Sequence, residues 1–199
     1  VADNRYSTHS QTTITTGSKI IVMSAAEVWF LRAEAALRNY TSENVENCYK
    51  QGITVSFAQW DASGVSEYLE NTNKPAAYVD AFNKKFDAAL ATDITPKWDE
   101  SATLEKKLER IITQKWLALY PEGCEAWAEQ RRTGYPELFK VAVNNSSNTI
   151  NTDIMIRRVF FNQDYKTDNK ALYDALVSKL GGADNGGTRL WWDAGGNNF

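Results

Sequence analysis

The chain has 199 residues, 43% hydrophobic and 24% charged, including 7 Trp, 9 Tyr and 8 Phe. That is material for a globular domain with a sizeable core. Lys and Arg number 22 against 25 Asp and Glu, a formal net charge of −3, which argues against a nucleic-acid binder held by phosphate contacts. The longest unbroken apolar runs, Ile20 to Met23 and Trp116 to Tyr120, are far too short to cross a bilayer. A single histidine, His9, leaves metal sites and catalytic triads built on histidine with almost nothing to work with.

Residues 1–19 are polar and rich in Thr and Ser, and read as an irregular lead-in. The opening Val1-Ala2-Asp3-Asn4-Arg5 lacks the basic-then-apolar layout of a signal peptide, so the protein is either cytosolic or made with a leader that this chain lacks. Ser24-Ala25-Ala26-Glu27 has the spacing of a capping box and opens a helix, with Ala26, Phe30, Ala33 and Leu37 on one face and an i,i+4 pair, Glu34 and Arg38, on the other. Thr41 or Ser42 is expected to cap a second helix carrying Val45, Tyr49, Ile53, Phe57 and Trp60. So short a connection demands a helical hairpin. After a turn-rich stretch over 61–73, Pro75 suits the first turn of another helix, striped by Tyr78, Phe82, Phe86 and Leu90. A loop with Pro96 and Trp98 follows. Ser101 then caps the longest helix, with Leu104, Leu108, Ile112, Trp116 and Leu119 along one side. A short helix from Cys124 to Arg132 ends at Gly134, and 141–153 is an Asn/Ser-rich surface loop. The last helix starts at Thr167 or Asp168 and ends at Gly181-Gly182, leaving a loop-rich tail over 181–199. No strand alternation appears. The fold class is all-α: helical hairpins of the tetratricopeptide kind with long irregular loops.

Chemistry-bearing clusters are sparse. Glu125 and Glu129 stand at i,i+4 and more simply decorate a helix face than form a glycosidase pair. Arg131-Arg132 and Arg157-Arg158 could hold anions, but with no basic field internal ion pairs suit them better. Gly181 to Gly187 lacks the Lys-Ser/Thr of a phosphate loop and the acidic spacing of a calcium loop, and reads as a mobile loop. Cys48 and Cys124, each in helix-like surroundings, read as small buried hydrophobes. No metal or cofactor is implied. The aromatic surplus is the informative feature. Trp98, between Pro96-Lys97 and Asp99-Glu100, is either an exposed ring on which a sugar can stack or an indole folded back on its own domain. Trp60, Trp191 and Trp192 are weaker candidates of the same kind.

The segment Glu125 to Pro136, EAWAEQRRTGYP, resembles a signature of the SusD/RagB-type nutrient-binding outer-membrane lipoproteins, in their SusD-like branch. Glu27 to Leu37 (EVWFLRAEAAL), Ile112 to Tyr120 (ITQKWLALY) and Thr188 to Asp193 (TRLWWD) agree with it in order, so the likeness spans roughly Tyr6 to Asp193. Where relatives continue Arg157-Arg158 with Tyr-Pro and an acidic residue, this chain has Phe160-Phe161-Asn162-Gln163-Asp164. The resemblance implies a single unit, 1–199, forming the C-terminal part of a larger surface lipoprotein whose N-terminal part supplies further helices, the signal and the lipid anchor. It implies a binding protein and no enzyme, which holds a glycan, oligosaccharide or peptide and hands it to a SusC-like TonB-dependent transporter. It also implies that Trp127, Arg131, Arg132, Gly134 and Tyr135 are architectural: a Trp wedged in the core, arginines paired with carboxylates, and a glycine at a turn. The alternative left open is a helical module for protein docking without a ligand site of its own.

Overall fold

The computed structural model describes residues 16–18, 20–193 and 195–199. The expected lead-in, His9 included, lies almost wholly outside the described residues. Within them the chain forms seven α-helices: α1 (Ala25–Leu37), α2 (Val45–Gln59), α3 (Val65–Leu69), α4 (Leu104–Ala118), α5 (Gly123–Thr133), α6 (Gln163–Asp168) and α7 (Lys170–Leu180). The all-α expectation holds.

Ser24 caps α1 as its sequence suggests, its hydroxyl accepting the Glu27 N–H at 3.0 Å. For α2 the cap is Asn44, which accepts from Asn47 N–H at 2.8 Å, in place of Thr41 or Ser42. The two helices form the expected hairpin and meet closely at Gly52, where a Cβ would lie 2.7 Å from the Phe30 ring. Helix α4 packs against both. Thr103 caps it, because Ser101 is already engaged with the Asp99 carboxylate through its own hydroxyl and N–H. Phe30, Tyr49, Ile53, Leu108, Ile111 and Ile112 make the core between these three helices. Leu104, expected on the buried stripe, is about half exposed, whereas Glu109, Arg110, Gln114 and Lys115 are buried. Contacts on several sides of α4 replace the one-sided burial that its periodicity predicts.

The helix expected after Pro75 does not form. Asp80 accounts for this: its carboxylate accepts the N–H groups of Phe82 and Asn83 at 2.9 and 2.8 Å, while Asp87 accepts that of Asp80 at 2.8 Å. Such local side-chain bonds compete with a helical ladder. The segment instead folds over as an isolated antiparallel bridge between Tyr78 and Ala88 around a 3-10 turn at Lys84–Phe86, and Phe82 is left exposed. Near the C-terminus the single expected helix is two, α6 and α7, parted at Asn169. That residue's side chain accepts from Leu172 N–H and starts the second helix. Gly181 caps α7 at φ 75°. The following glycine-rich stretch is a fastened turn and not a free loop, because Asp184 pairs with Arg158 at 2.6 Å and Asn185 accepts from Gly187 and Thr188 N–H. Cys48 is buried as expected, but Cys124 is exposed in the first turn of α5.

Candidate functional site

Helix α5 carries the signature segment, and its side chains tie the hairpin to the C-terminal tail. Gly134 ends the helix at φ 80° with its N–H on the Gln130 carbonyl at 2.9 Å, a left-handed position that suits glycine. Arg132, one residue before the last of α5, forks onto Glu34 of α1 at 2.8 and 2.6 Å and also reaches Glu129 at 2.8 Å. Arg38 adds a bond to Glu34 at 2.8 Å. Burial pushes the Glu34 carboxyl up, but the two guanidinium groups outweigh it and hold the group below the usual carboxylate range. Glu129, far from decorating a surface, is buried and lies 3.5 Å from the Lys115 ammonium, with Glu125 at 3.6 Å and Glu27 at 4.0 Å. The arginine–carboxylate pairing expected of Arg132 is therefore present. Tyr135 donates its hydroxyl to Glu105 at 3.1 Å, and burial followed by the Glu105 charge pushes its ionisation up to about 12.

Arg131 behaves differently from the expectation. Among the described residues it makes no ion pair; its guanidinium lies between two indoles, 3.8 Å over Trp127 and 4.8 Å over Trp192, and donates to the Arg157 carbonyl at 3.0 Å. Trp127 is accordingly half-buried against Arg131, its Nε1 donating to the Ile156 carbonyl at 3.2 Å, and is not wedged in the core. The guanidinium takes up the ring face that a core position would have covered. Arg157 and Arg189 both bind the buried Asp193, at 2.7 and 2.6 Å for the first and 2.6 Å for the second. Arg157 and Arg158 are thus internal ion-pair partners, as their setting in a neutral chain suggests.

The four candidate tryptophans part company. Trp98 is in a loop, as expected, but only 6% exposed: it packs on Tyr49 at 5.1 Å between centroids and donates Nε1 to Glu100 at 2.8 Å. The reading of an exposed stacking platform is corrected here, since its own domain already covers the ring. Trp192 is committed to Arg131. Trp191 is 92% exposed, and Trp60, 38% exposed, stands beside Tyr120 with centroids 5.7 Å apart.

Among the cavities large enough for a ligand, two differ sharply in lining. The first, about 700 Å3, is an apolar cleft between α2, α3 and the end of α4, lined by rings such as Phe57, Trp60, Tyr68, Trp116 and Tyr120. The second, about 840 Å3, has a mixed lining and lies between 87–91, the loop 137–142 and Met155. Sequence reasoning reached Trp60 but not the second cavity, whose walls come from segments far apart in the chain. It also missed Asp193 and Glu34 as anchors, although Asp193 closes the TRLWWD segment.

The family model described as Susd and RagB outer membrane lipoprotein matches residues 2–193. The chain belongs to the SusD-like family. Among solved structures, a chitin-binding SusD homologue of Flavobacterium johnsoniae is 47% identical, with a TM-score of 0.85 over 89% of this chain and 37% of its own. A SusD homologue of Bacteroides vulgatus is 50% identical, with a TM-score of 0.84 over 96% of this chain and 39% of that one. One from Bacteroides thetaiotaomicron is 38% identical, with a TM-score of 0.84 over 92% and 40%. The SusD-like chain therefore spans about two-fifths of the length of these relatives. No curated protein matches it. Among the described residues no helix is long and apolar enough to cross a membrane.

Proposed function

We propose that this chain is the C-terminal part, folded as one unit, of a surface nutrient-binding lipoprotein. Such a protein takes up a glycan or oligosaccharide and hands it to a SusC-like TonB-dependent transporter, without making or breaking a bond. In this reading the membrane attachment is an N-terminal lipid anchor. The observation that carries it is the family match over nearly the whole chain, joined to 47% identity with a relative described as chitin-binding. A ligand-sized cleft framed by helices and a second cavity walled mainly by loops are consistent with it. Of the four candidate indoles, Trp60 and Trp191 keep exposed surface on which a sugar can stack, whereas Trp98 and Trp192 are already occupied.

Calorimetry of the full-length protein against a panel of neutral and charged oligosaccharides tests the proposal. Modest binding is expected, roughly micromolar to millimolar, because sugar–protein contacts largely replace contacts with water. Binding of peptides with no glycan response rejects the glycan reading. A second reading, a docking module, is favoured by the strongly apolar lining of the first cleft, which suits protein side chains. Recovery of a TonB-dependent transporter from detergent-solubilised outer membranes, unaffected by removing every glycan ligand, is its expected signature.

A further inference from the structure

The second cavity differs in kind from the ring-lined cleft. Its volume of about 840 Å3 lies in the range of small-molecule sites, roughly 300–1,000 Å3. Three alanines, Ala88, Ala89 and Ala91, keep one wall low, and Phe139 and Leu90 supply apolar surface. The Phe139 ring is 42% exposed and is steadied by Tyr78, with centroids 6.2 Å apart. Charge on the lining is one-sided: Asp87, Glu137 and Asp153 against Lys140 alone, and Lys140 is already paired with Asp153. Asp87 holds the Asp80 N–H, whereas Glu137 makes no ion pair or hydrogen bond through its carboxyl among the described residues. Burial, followed by the charge of Glu109, pushes the Glu137 carboxyl up. An anion entering here would add to an unbalanced negative wall, whereas a neutral or cationic group would not.

We propose that this cavity is a subsite for an uncharged or amino-bearing sugar unit, which lays the C–H face of its ring on Phe139 and turns its hydroxyl, amide or ammonium groups toward Glu137 and Gln130. A pyranose presents an apolar C–H face and a polar rim, and the lining offers groups of both kinds. The subsite rests on the glycan-binding reading and narrows it, since uronate and sulfated chains are disfavoured. Neither Phe139 nor Glu137 belongs to the signature segment's ion-pair network, so sugar recognition and architecture are carried by different side chains.

The test is calorimetry of the full-length protein with three oligomers of equal length: N-acetylglucosamine, its deacetylated amine form and galacturonate. Removal of the stacking ring in Phe139→Ala is expected to weaken the N-acetylglucosamine oligomer about tenfold. Ala142→Trp, which fills the cavity from an exposed wall position, is expected to abolish that binding. Glu137→Gln is expected to lower the affinity for the amine oligomer more than for the acetylated one. Thermal melts check that each variant is folded, and should Phe139→Ala fail, Ala142→Trp decides by itself. Wild-type binding left unchanged by both variants, or a preference for galacturonate, overturns the subsite while leaving the glycan-binding reading in place. No binding of any oligomer overturns both.

Discussion

Replacing Trp98 with alanine separates a structural indole from a sugar platform. The side chain is 6% exposed and belongs to the core cluster with Tyr49, Phe30 and Leu108. A Trp of this kind buries roughly 150–250 Å2, worth about 4–6 kcal/mol at 25 cal/mol per Å2 as an upper bound. Measured truncations of large core aromatics cost about 3–5 kcal/mol, since part of the surroundings relaxes into the space. The hydrogen bond to Glu100 changes this little, because that carboxylate is 75% exposed and water replaces the indole N–H. For a domain near this size each kcal/mol moves the melting temperature by roughly 2–4 °C, so a fall of about 6–20 °C is expected. The assay is a thermal melt followed by circular dichroism, paired with calorimetry on the folded variant below its transition, where glycan affinity should be retained. A melting temperature within about 2 °C of wild type together with loss of sugar binding would refute the reasoning, for it would show the ring to be free in the unliganded protein.

The remaining predictions concern charge and packing. Glu34→Gln leaves Arg132 and Arg38 without their shared carboxylate and should cost about 2–4 kcal/mol in a denaturant titration, the figure being reduced because the Arg132 side chain is 39% exposed. Its contribution has a defined pH sign. The folded carboxyl is depressed below 4.5, so the stabilisation is present above that value and is lost as pH falls through the depressed one. Glu27 has the opposite shift, raised first by burial, so Glu27→Gln should cost much less at pH 7 than Glu34→Gln, and equal losses would contradict the assignment. Gly52→Ala drives a methyl into the Phe30 ring, which is 1% exposed and has no room to move; a loss of about 1–3 kcal/mol is expected by chemical denaturation. Arg131→Lys keeps the charge but not the flat group held between Trp127 and Trp192, and should lower stability by about 1–2 kcal/mol and red-shift tryptophan emission.

The parts of the fold that were legible in the sequence are those where period and cap agree. Helix α1 is marked by Ser24 and its four-three-four apolar spacing, and α5 by the glycine that ends it. Tyr78, Phe82, Phe86 and Leu90 have an equally good period, yet the carboxylates of Asp80 and Asp87 draw the backbone N–H groups of that stretch into turns. Period alone cannot rank these two outcomes, because the competing bonds are local and polar while the stripe reports only where apolar groups fall. The candidate site was less legible. Trp98 sits in a loop sequence flanked by charges, and nothing local reveals that Tyr49, about fifty positions earlier, covers it. The mixed cavity draws on 87–91, 130–142 and 153–155, segments that only the finished chain brings together. Motif likeness succeeded where periodicity could not, since it reports the family and with it the assembled fold.

The Glu34–Arg132 clamp has a consequence for synthesis. These residues stand 98 positions apart, and Arg38 likewise waits 160 positions for the Asn198 carbonyl. As the polypeptide leaves the ribosome, the first hairpin emerges with an inward acid that has only Arg38 at hand, and the missing counter-charge arrives much later. Burying that acid early is unfavourable. The latch between α1 and α5 is therefore a long-range contact that can close only once α5 has been made.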